Sequence, residues 1–298
     1  MRSALVPAGA MALGALVAGC TPSAAPSSAS GRPASARDDV GAERIKPFQY
    51  LYGSGEVGAL SIQAYHALIG YAQAQVARRP VDSVVLAENA TLAAPAFVPC
   101  ADKPFAAVFD VDETVVANLG FEARAANGEG YDGKRWDRWE KTGGDKVGPI
   151  PGAVTAVKAL RAMGVTVIFN TNRASAQAEG AAEAIRHAGL GSAVHGETLF
   201  LKGDDAMGSK KDGRRATIAD RYCVIAMGGD QLGDFSDRFN QINATMDRRE
   251  AAISGRITNL WGNGWFVLPN PVYGSGLDGK LDEIFPPEVR WTDPEEGK

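Results

Sequence analysis

Three short apolar runs constrain the fold more than any other feature: 104–110 (PFAAVFD), 165–170 (VTVIFN) and 223–227 (CVIAM). Each has strand length and no polar alternation, so each is read as a strand buried on both faces. Helical stretches lie around and between them. Ile62, Tyr65, Ile69, Ala72 and Val76 follow helical spacing over about 55–78, and Pro80 stops that helix. A second helical piece is expected over 81–91. Pro151-Gly152 opens a helix to Met163, with Pro at a favoured first-turn position, and Gly164 ends it. Helices are also expected over 176–188 and 211–221, and strands over 198–201 and 265–268. Apolar strands alternating with helices predict an α/β fold: a parallel sheet with helices on both faces. Ligands bind such sheets beyond the carboxyl ends of the strands.

Those ends carry chemistry. Asp110-Val111-Asp112-Glu113-Thr114 follows the first run, Thr171-Asn172-Arg173 the second, and Gly229-Asp230-Gln231-Leu232-Gly233-Asp234 the third. Ser209-Lys210-Lys211-Asp212-Gly213-Arg214 lies between the last two. An Asp-x-Asp pair alone marks a solvated turn, and a lysine pair alone marks a solvated face. All four in this order suit phosphoryl transfer. One carboxylate of Asp110 and Asp112 can attack phosphorus and the other can move the proton. Two carboxylates beside a phosphate need a cation, and Asp230 supplies a further oxygen ligand of the kind Mg²⁺ prefers. Asp234 can reach the metal's waters or orient the lysine. Thr171 and the lysine can hold phosphoryl oxygens.

Composition narrows the partners. The 298 residues carry 31 Lys plus Arg against 35 Asp plus Glu, a net charge of −4, which gives no general pull on a nucleic-acid polymer. His66, His187 and His195 are scattered, which argues against a histidine phosphatase. Cys100 and Cys223 are spaced wrongly for zinc. Trp136 and Trp139 lie three apart and share one helix face, read as packing.

The N-terminus is read as an address. Arg2 precedes an apolar stretch over 4–19 that is too short for a comfortable membrane span and is broken by Pro7. Val17-Ala18-Gly19-Cys20 resembles the lipobox of bacterial lipoproteins, with Cys20 as the lipidated first residue of the mature chain. Residues 1–19 are then a signal peptide, and 20–44, rich in Ala, Ser and Pro, a disordered tether. Residues 45–298 form the folded domain. Membrane attachment comes through the lipid. Thr21 is not the Asp that retains lipoproteins in an inner membrane, which, in a cell with two membranes, favours the outer one, facing the periplasm.

The strand-end strings resemble the four motifs of the haloacid dehalogenase superfamily. The fuller matches, VFDVDET with Asn118, YDGKRWDRW at 131–139, PGAV at 151–154, TNR at 171–173, GDQLGDF at 229–235 and LPNPVYG at 268–274, resemble its class C, lipoprotein-type acid phosphatases. The resemblance implies a Rossmann-like core and a small, mostly helical cap from the N-terminal helices, the 118–148 insert and the C-terminal segment. It implies Asp110 as nucleophile and Asp112 as general acid/base. It implies Mg²⁺ on Asp110, the Asp112 backbone carbonyl and Asp230, with Thr171 and one lysine on the phosphate and Asp234 in support. Lys211 fits a Lys-x-x-Arg pattern with Arg214, and Lys210 is adjacent. Substrates would be small phosphomonoesters, often nucleoside monophosphates.

Two departures stand out. Where the family often has Asp-Asn-Ser-Pro-Tyr, this chain has Ala117-Asn118-Leu119-Gly120-Phe121, which keeps the ring at Phe121 but alters its neighbours. Gln231 stands where Asn is usual. Phe121 and Tyr273 are expected either to stack on the substrate or to anchor structure. Asn172 is placed in support. Arg173 is expected to reach the phosphate or to pair with an acid. In the fold so implied, Cys100 and Cys223 lie near the same end of the sheet, as a disulfide or as two buried thiols. The reading from another class is a non-catalytic lipoprotein that binds or stores on the same fold. None of Asp110, Asp112, Thr171 or Asp230 is missing.

Overall fold

A computed structural model of the chain describes residues 36–295. The expected signal peptide, the lipidated Cys20 and most of the tether lie outside the described residues. The tether does not extend to residue 44: helix α1 (Ala36–Phe48) begins inside it.

Helix α2 (Gly55–Arg78) follows, capped by the Ser54 hydroxyl accepting from the Val57 N–H at 3.1 Å. The helix expected over 81–91 is a strand instead. β1 (Asp82–Leu86) pairs antiparallel with β2 (Phe97–Pro99). Val84-Val85-Leu86 is buried, and two β-branched residues in succession suit an extended chain better than a helix.

The remaining elements build the core. They are β3 (Phe105–Phe109), β4 (Val116–Ala117), α3 (Leu119–Ala126), α4 (Gly133–Thr142) and β5 (Gly148–Pro149). Then come α5 (Ala153–Ala162), β6 (Thr166–Ala174), α6 (Ala178–His187), β7 (Leu199–Lys202), α7 (Asp212–Arg221) and β8 (Cys223–Gly229). The chain closes with α8 (Thr245–Ile253), β9 (Trp265–Val267) and α9 (Leu281–Ile284).

The central sheet has the order β7-β6-β3-β8-β9 and is parallel throughout. Successive side chains of a strand face opposite ways. Ala107 and Phe109 of β3 therefore join one buried cluster with α2, α5 and α6, while Ala106 and Val108 join another with β1, α7 and α8. This is the predicted α/β fold with both faces covered. In the second cluster Trp265 packs 5.4 Å from the rings of Phe235 and Trp261 and donates its indole N–H to the Val84 carbonyl at 2.8 Å.

Cys100 and Cys223 form a disulfide that ties the start of β8 to the residue just after β2, across 123 positions of sequence. Closing so long a loop in the unfolded chain stabilises the fold by about 5 kcal/mol in the chain-entropy model. The short β4–β5 pair brackets residues 118–147, so α3 and α4 rise from the sheet's carboxyl edge as an insert. No helix among the described residues is long and apolar enough to cross a membrane.

Candidate active site

The central strand β3 ends at Phe109, and Asp110 extends its pairing by one residue, its N–H donating to the Gly228 carbonyl at 2.9 Å. Beyond it the backbone turns tightly. The N–H groups of Val115 and Val116 return to the Val111 carbonyl at 3.0 and 2.9 Å. Glu113 sits at φ +52°, a left-handed conformation uncommon outside glycine. Its carboxylate holds that turn by accepting from Tyr52 at 3.0 Å, from the Asn118 backbone at 2.8 Å and from the Tyr273 hydroxyl. Burial first, then the Asp112 charge, push Glu113 up to about 7.

Lysine assignment follows from α7. Asp237, 26 positions away, accepts the Lys211 and Asp212 N–H groups at 3.0 and 2.6 Å and so fixes the start of that helix. The buried Lys211 ammonium is thereby aimed at Asp110 and at Asp234, the latter at 2.6 Å. Lys210 is exposed. Asp234 reaches back because Gly229 leaves room: a Cβ there would meet the Asp234 Cβ at 2.3 Å.

Asp230 follows β8 and accepts from Thr114 at 3.2 Å, Gln231 at 3.1 Å and Asn270 at 2.7 Å. Gln231, the unusual residue of this loop, thus still serves the carboxylate. Carboxylate oxygens of Asp110, Asp230 and Asp234 lie within 4.8 Å of one another. Desolvation, and then Asp234, raise Asp230 to about 7. Asp110 is also raised by burial, against the pull of Lys211. One lysine does not balance three acids, so the cluster favours a cation. Its all-oxygen, carboxylate-rich donors suit a hard divalent ion. Asp112 adds no carboxylate to this cluster. Its expected contribution to a metal is limited to its backbone carbonyl.

The Asp112 side chain turns to Arg173, which is buried and binds Asp112 Oδ1 at 2.7 Å through one Nη and at 3.0 Å through Nε. Asn118 adds a third donor to the same oxygen at 2.9 Å. Oδ2 has only longer contacts, 3.3 Å from Arg173 and 3.4 Å from the Thr171 hydroxyl. Of the two readings of Arg173, pairing with an acid is the one observed. Burial alone would lower Arg173, but Asp112 leaves it raised on balance.

β6 runs further than expected, so Thr171, Asn172 and Arg173 lie within its end rather than after it, at an irregularity between Asn170 and Ala174. Arg214 binds the Thr171 carbonyl and, at 2.7 Å, Asn172 Oδ1, which holds that end against α7. A cleft of about 550 Å³ opens over these residues. Its outer wall comes from the insert. Phe121 is buried with its ring centroid 4.9 Å from Trp136 and 6.0 Å from Trp139, and Tyr131 stands 6.5 Å away. Trp136 both packs and lines the cleft, so the packing expectation covers only part of its place. Tyr273 also lines the cleft, with its hydroxyl on Glu113.

Sequence reading gave no role to Glu113, Tyr52, Asn270 or Glu140. Glu140 is buried and accepts from Trp136 at 2.7 Å and from the Ala174 N–H at 3.2 Å, joining α4 to β6. The one local signal was the Glu inside the Asp-x-Asp-Glu-Thr string.

The sequence profile of the HAD superfamily, subfamily IIIB (acid phosphatase) matches residues 61–276. No curated protein matches the chain significantly. Among solved structures, the class C acid phosphatase from Bacillus anthracis superposes with a TM-score of 0.64 at 23% identity, over 80% of this chain and 87% of that one. The same enzyme with tungstate bound gives a TM-score of 0.64 at 21% identity, over 86% and 93%. With that profile spanning the sheet, the insert and every strand-end motif, the chain belongs to the HAD superfamily, subfamily IIIB acid phosphatases.

Proposed function

We propose that the chain is a Mg²⁺-dependent phosphomonoesterase of the cell envelope that works through a phosphoaspartate, with nucleoside monophosphates among its substrates. The observation that carries this reading is the buried Asp110, held by Lys211 at the end of the central strand, with Asp112 two residues on and an open cleft above both.

Asp110 attacks phosphorus, and the bond from phosphorus to the leaving alcohol breaks. Asp112 delivers a proton to the departing oxygen, then takes one from the water that cleaves the acyl-phosphate, returning Asp110 and inorganic phosphate. Arg173 and Asn118 pin Oδ1 of Asp112, which leaves Oδ2 as the oxygen for this proton traffic. Lys211 and Thr171 steady the phosphoryl oxygens as charge builds. Asp110, Asp230 and the Asp112 carbonyl would hold Mg²⁺, with Asp234 beside them. When bound, the ion would offset the charge of phosphate and carboxylates and polarise a phosphoryl oxygen.

The test uses soluble protein from residue 21 onward, which keeps helix α1 whole, beside Asp110→Asn. Phosphate release from nucleoside monophosphates and an aryl phosphate is followed with Mg²⁺ and with EDTA. Metal-dependent release that falls about 10⁴-fold in the variant is expected. Release no greater than in the variant would move the reading to a non-catalytic lipoprotein. Attachment through Cys20 is tested separately. A full chain with Cys20→Ser is expected to leave the membrane fraction and to lack the lipid mass.

A further inference from the structure

The wall of the cleft that receives the leaving group is aromatic and acidic. Phe121, Tyr131 and Trp136 supply rings, and Glu122, Asp137 and Glu140 supply carboxylates. Glu140 is satisfied by Trp136 and Ala174, and Asp137 is exposed at the rim. Glu122 differs from both. It is 6% exposed, lines the cleft, is pushed up by burial and then by the Asp112 charge, and has no donor to its carboxylate among the described residues. A carboxylate so placed is costly without a partner.

Three cations of the site are committed elsewhere, and a fourth, Lys202, lies exposed on the same cleft. Arg173, 6.0 Å over the Trp136 ring, belongs to Asp112. Arg135, 5.7 Å over the Phe121 ring, belongs to Glu129. Lys211 belongs to Asp110 and Asp234. Both guanidinium contacts show that these rings accept a cation on their faces.

We propose that this cleft selects phosphomonoesters whose leaving alcohol bears an ammonium group, with Glu122 reading the charge and the Phe121–Trp136–Tyr131 rings enclosing it. The inference rests on the phosphatase reading above. An ammonium two or three bonds beyond the ester oxygen supplies the counter-charge Glu122 lacks, and its alkyl groups lie on the rings.

The probes are phosphocholine and its uncharged isostere, 3,3-dimethylbutyl phosphate, compared at pH 7 with an aryl phosphate as control. In the native chain kcat/KM for phosphocholine is expected to exceed that of the isostere about tenfold. In Glu122→Gln the ratio is expected to fall to near one, through KM rather than kcat. A native ratio near one, or a tenfold ratio kept in Glu122→Gln, would overturn the proposal, whereas the control still being cleaved would leave the phosphatase reading standing. If no ester is cleaved, the phosphatase reading itself has failed, and choline binding followed by tryptophan fluorescence decides alone. Binding lost in Glu122→Gln supports the charge-reading pocket, and absence of binding in the native chain rejects it.

Discussion

The two walls of the cleft are built on different principles. On the strand-end wall each carboxylate has a donor in the protein, although the three-acid cluster still calls for a cation: Lys211 between Asp110 and Asp234, Arg173 on Asp112, and Thr114, Gln231 and Asn270 on Asp230. On the insert wall the rings pack on one another, but Glu122 has no donor among the described residues and Tyr131 is largely exposed. Both walls meet at Asn118. It donates to Asp112 and Glu113 and accepts from Arg173 and from the Trp139 indole at 3.1 Å. A wall whose partners are fixed can hold reacting atoms to within a fraction of an ångström. A wall with unfilled valences is completed by whatever binds. The first should therefore govern kcat and the second KM.

After Asp110→Asn, the largest effect expected from breaking the matched wall is at Lys211. Lys211→Met keeps the length of the side chain but removes the charge between Asp110 and Asp234. A fall in kcat of about 10²–10³-fold is expected, the usual loss when a preorganised charge on the transition state is removed. Steady-state kinetics on an aryl phosphate measures it. A change confined to KM would place Lys211 with the binding groups and undo the contrast.

The matched wall also sets a pH dependence for the metal. Asp230 is raised to about 7, by burial and then by Asp234. Below that value the metal-free site carries a proton that Mg²⁺ must displace, so affinity weakens as pH falls. For one displaced proton the dissociation constant should rise about fiftyfold from pH 7 to pH 5. Calorimetric titration of the soluble domain with Mg²⁺ at several pH values reads this directly. A flat profile would mean that the acids are already balanced without the ion.

Much of the matched wall was legible in the chain, because strand-end chemistry is local. A run such as VFDVDET switches from apolar to acidic at the point where the strand stops. What was not legible depended on contacts far apart in sequence. Whether Lys210 or Lys211 enters the site depends on Asp237 fixing the start of α7. The Asp112–Arg173 pair joins two strands 61 positions apart. Glu122 gave no signal, because a Glu beside a Phe on a short helix is ordinarily solvated. β1 was misread because five residues after a Pro are too few for periodicity to separate strand from helix.

The insert wall should respond more mildly. Phe121→Ala removes the ring at the centre of the aromatic group, which holds Trp136 at 4.9 Å. Buried aromatic contacts of this kind contribute about 0.5–1.5 kcal/mol beyond their area, so KM should rise about tenfold with kcat nearly kept. An equal loss in kcat would show that the insert also positions Asp112, through Asn118 and Trp139.

The smallest effect expected, and the one that separates two readings of a single residue, is at Tyr273. Its ring lines the cleft while its hydroxyl donates to Glu113 in the turn after β3. Glu113 keeps donors from Tyr52 and Asn118 when that hydroxyl is removed. Tyr273→Phe should therefore cost about 1 kcal/mol of hydrogen bonding, read as a drop of a few degrees in melting temperature. If the ring stacks on substrates, Phe keeps KM for an aryl or nucleoside ester, and Tyr273→Ala raises it several-fold. If the residue only anchors the turn, Phe and Ala lower kcat alike and leave KM unmoved. The first outcome places Tyr273 on the open wall with Phe121. The second places it on the matched wall, as a further donor holding Glu113 at its left-handed φ.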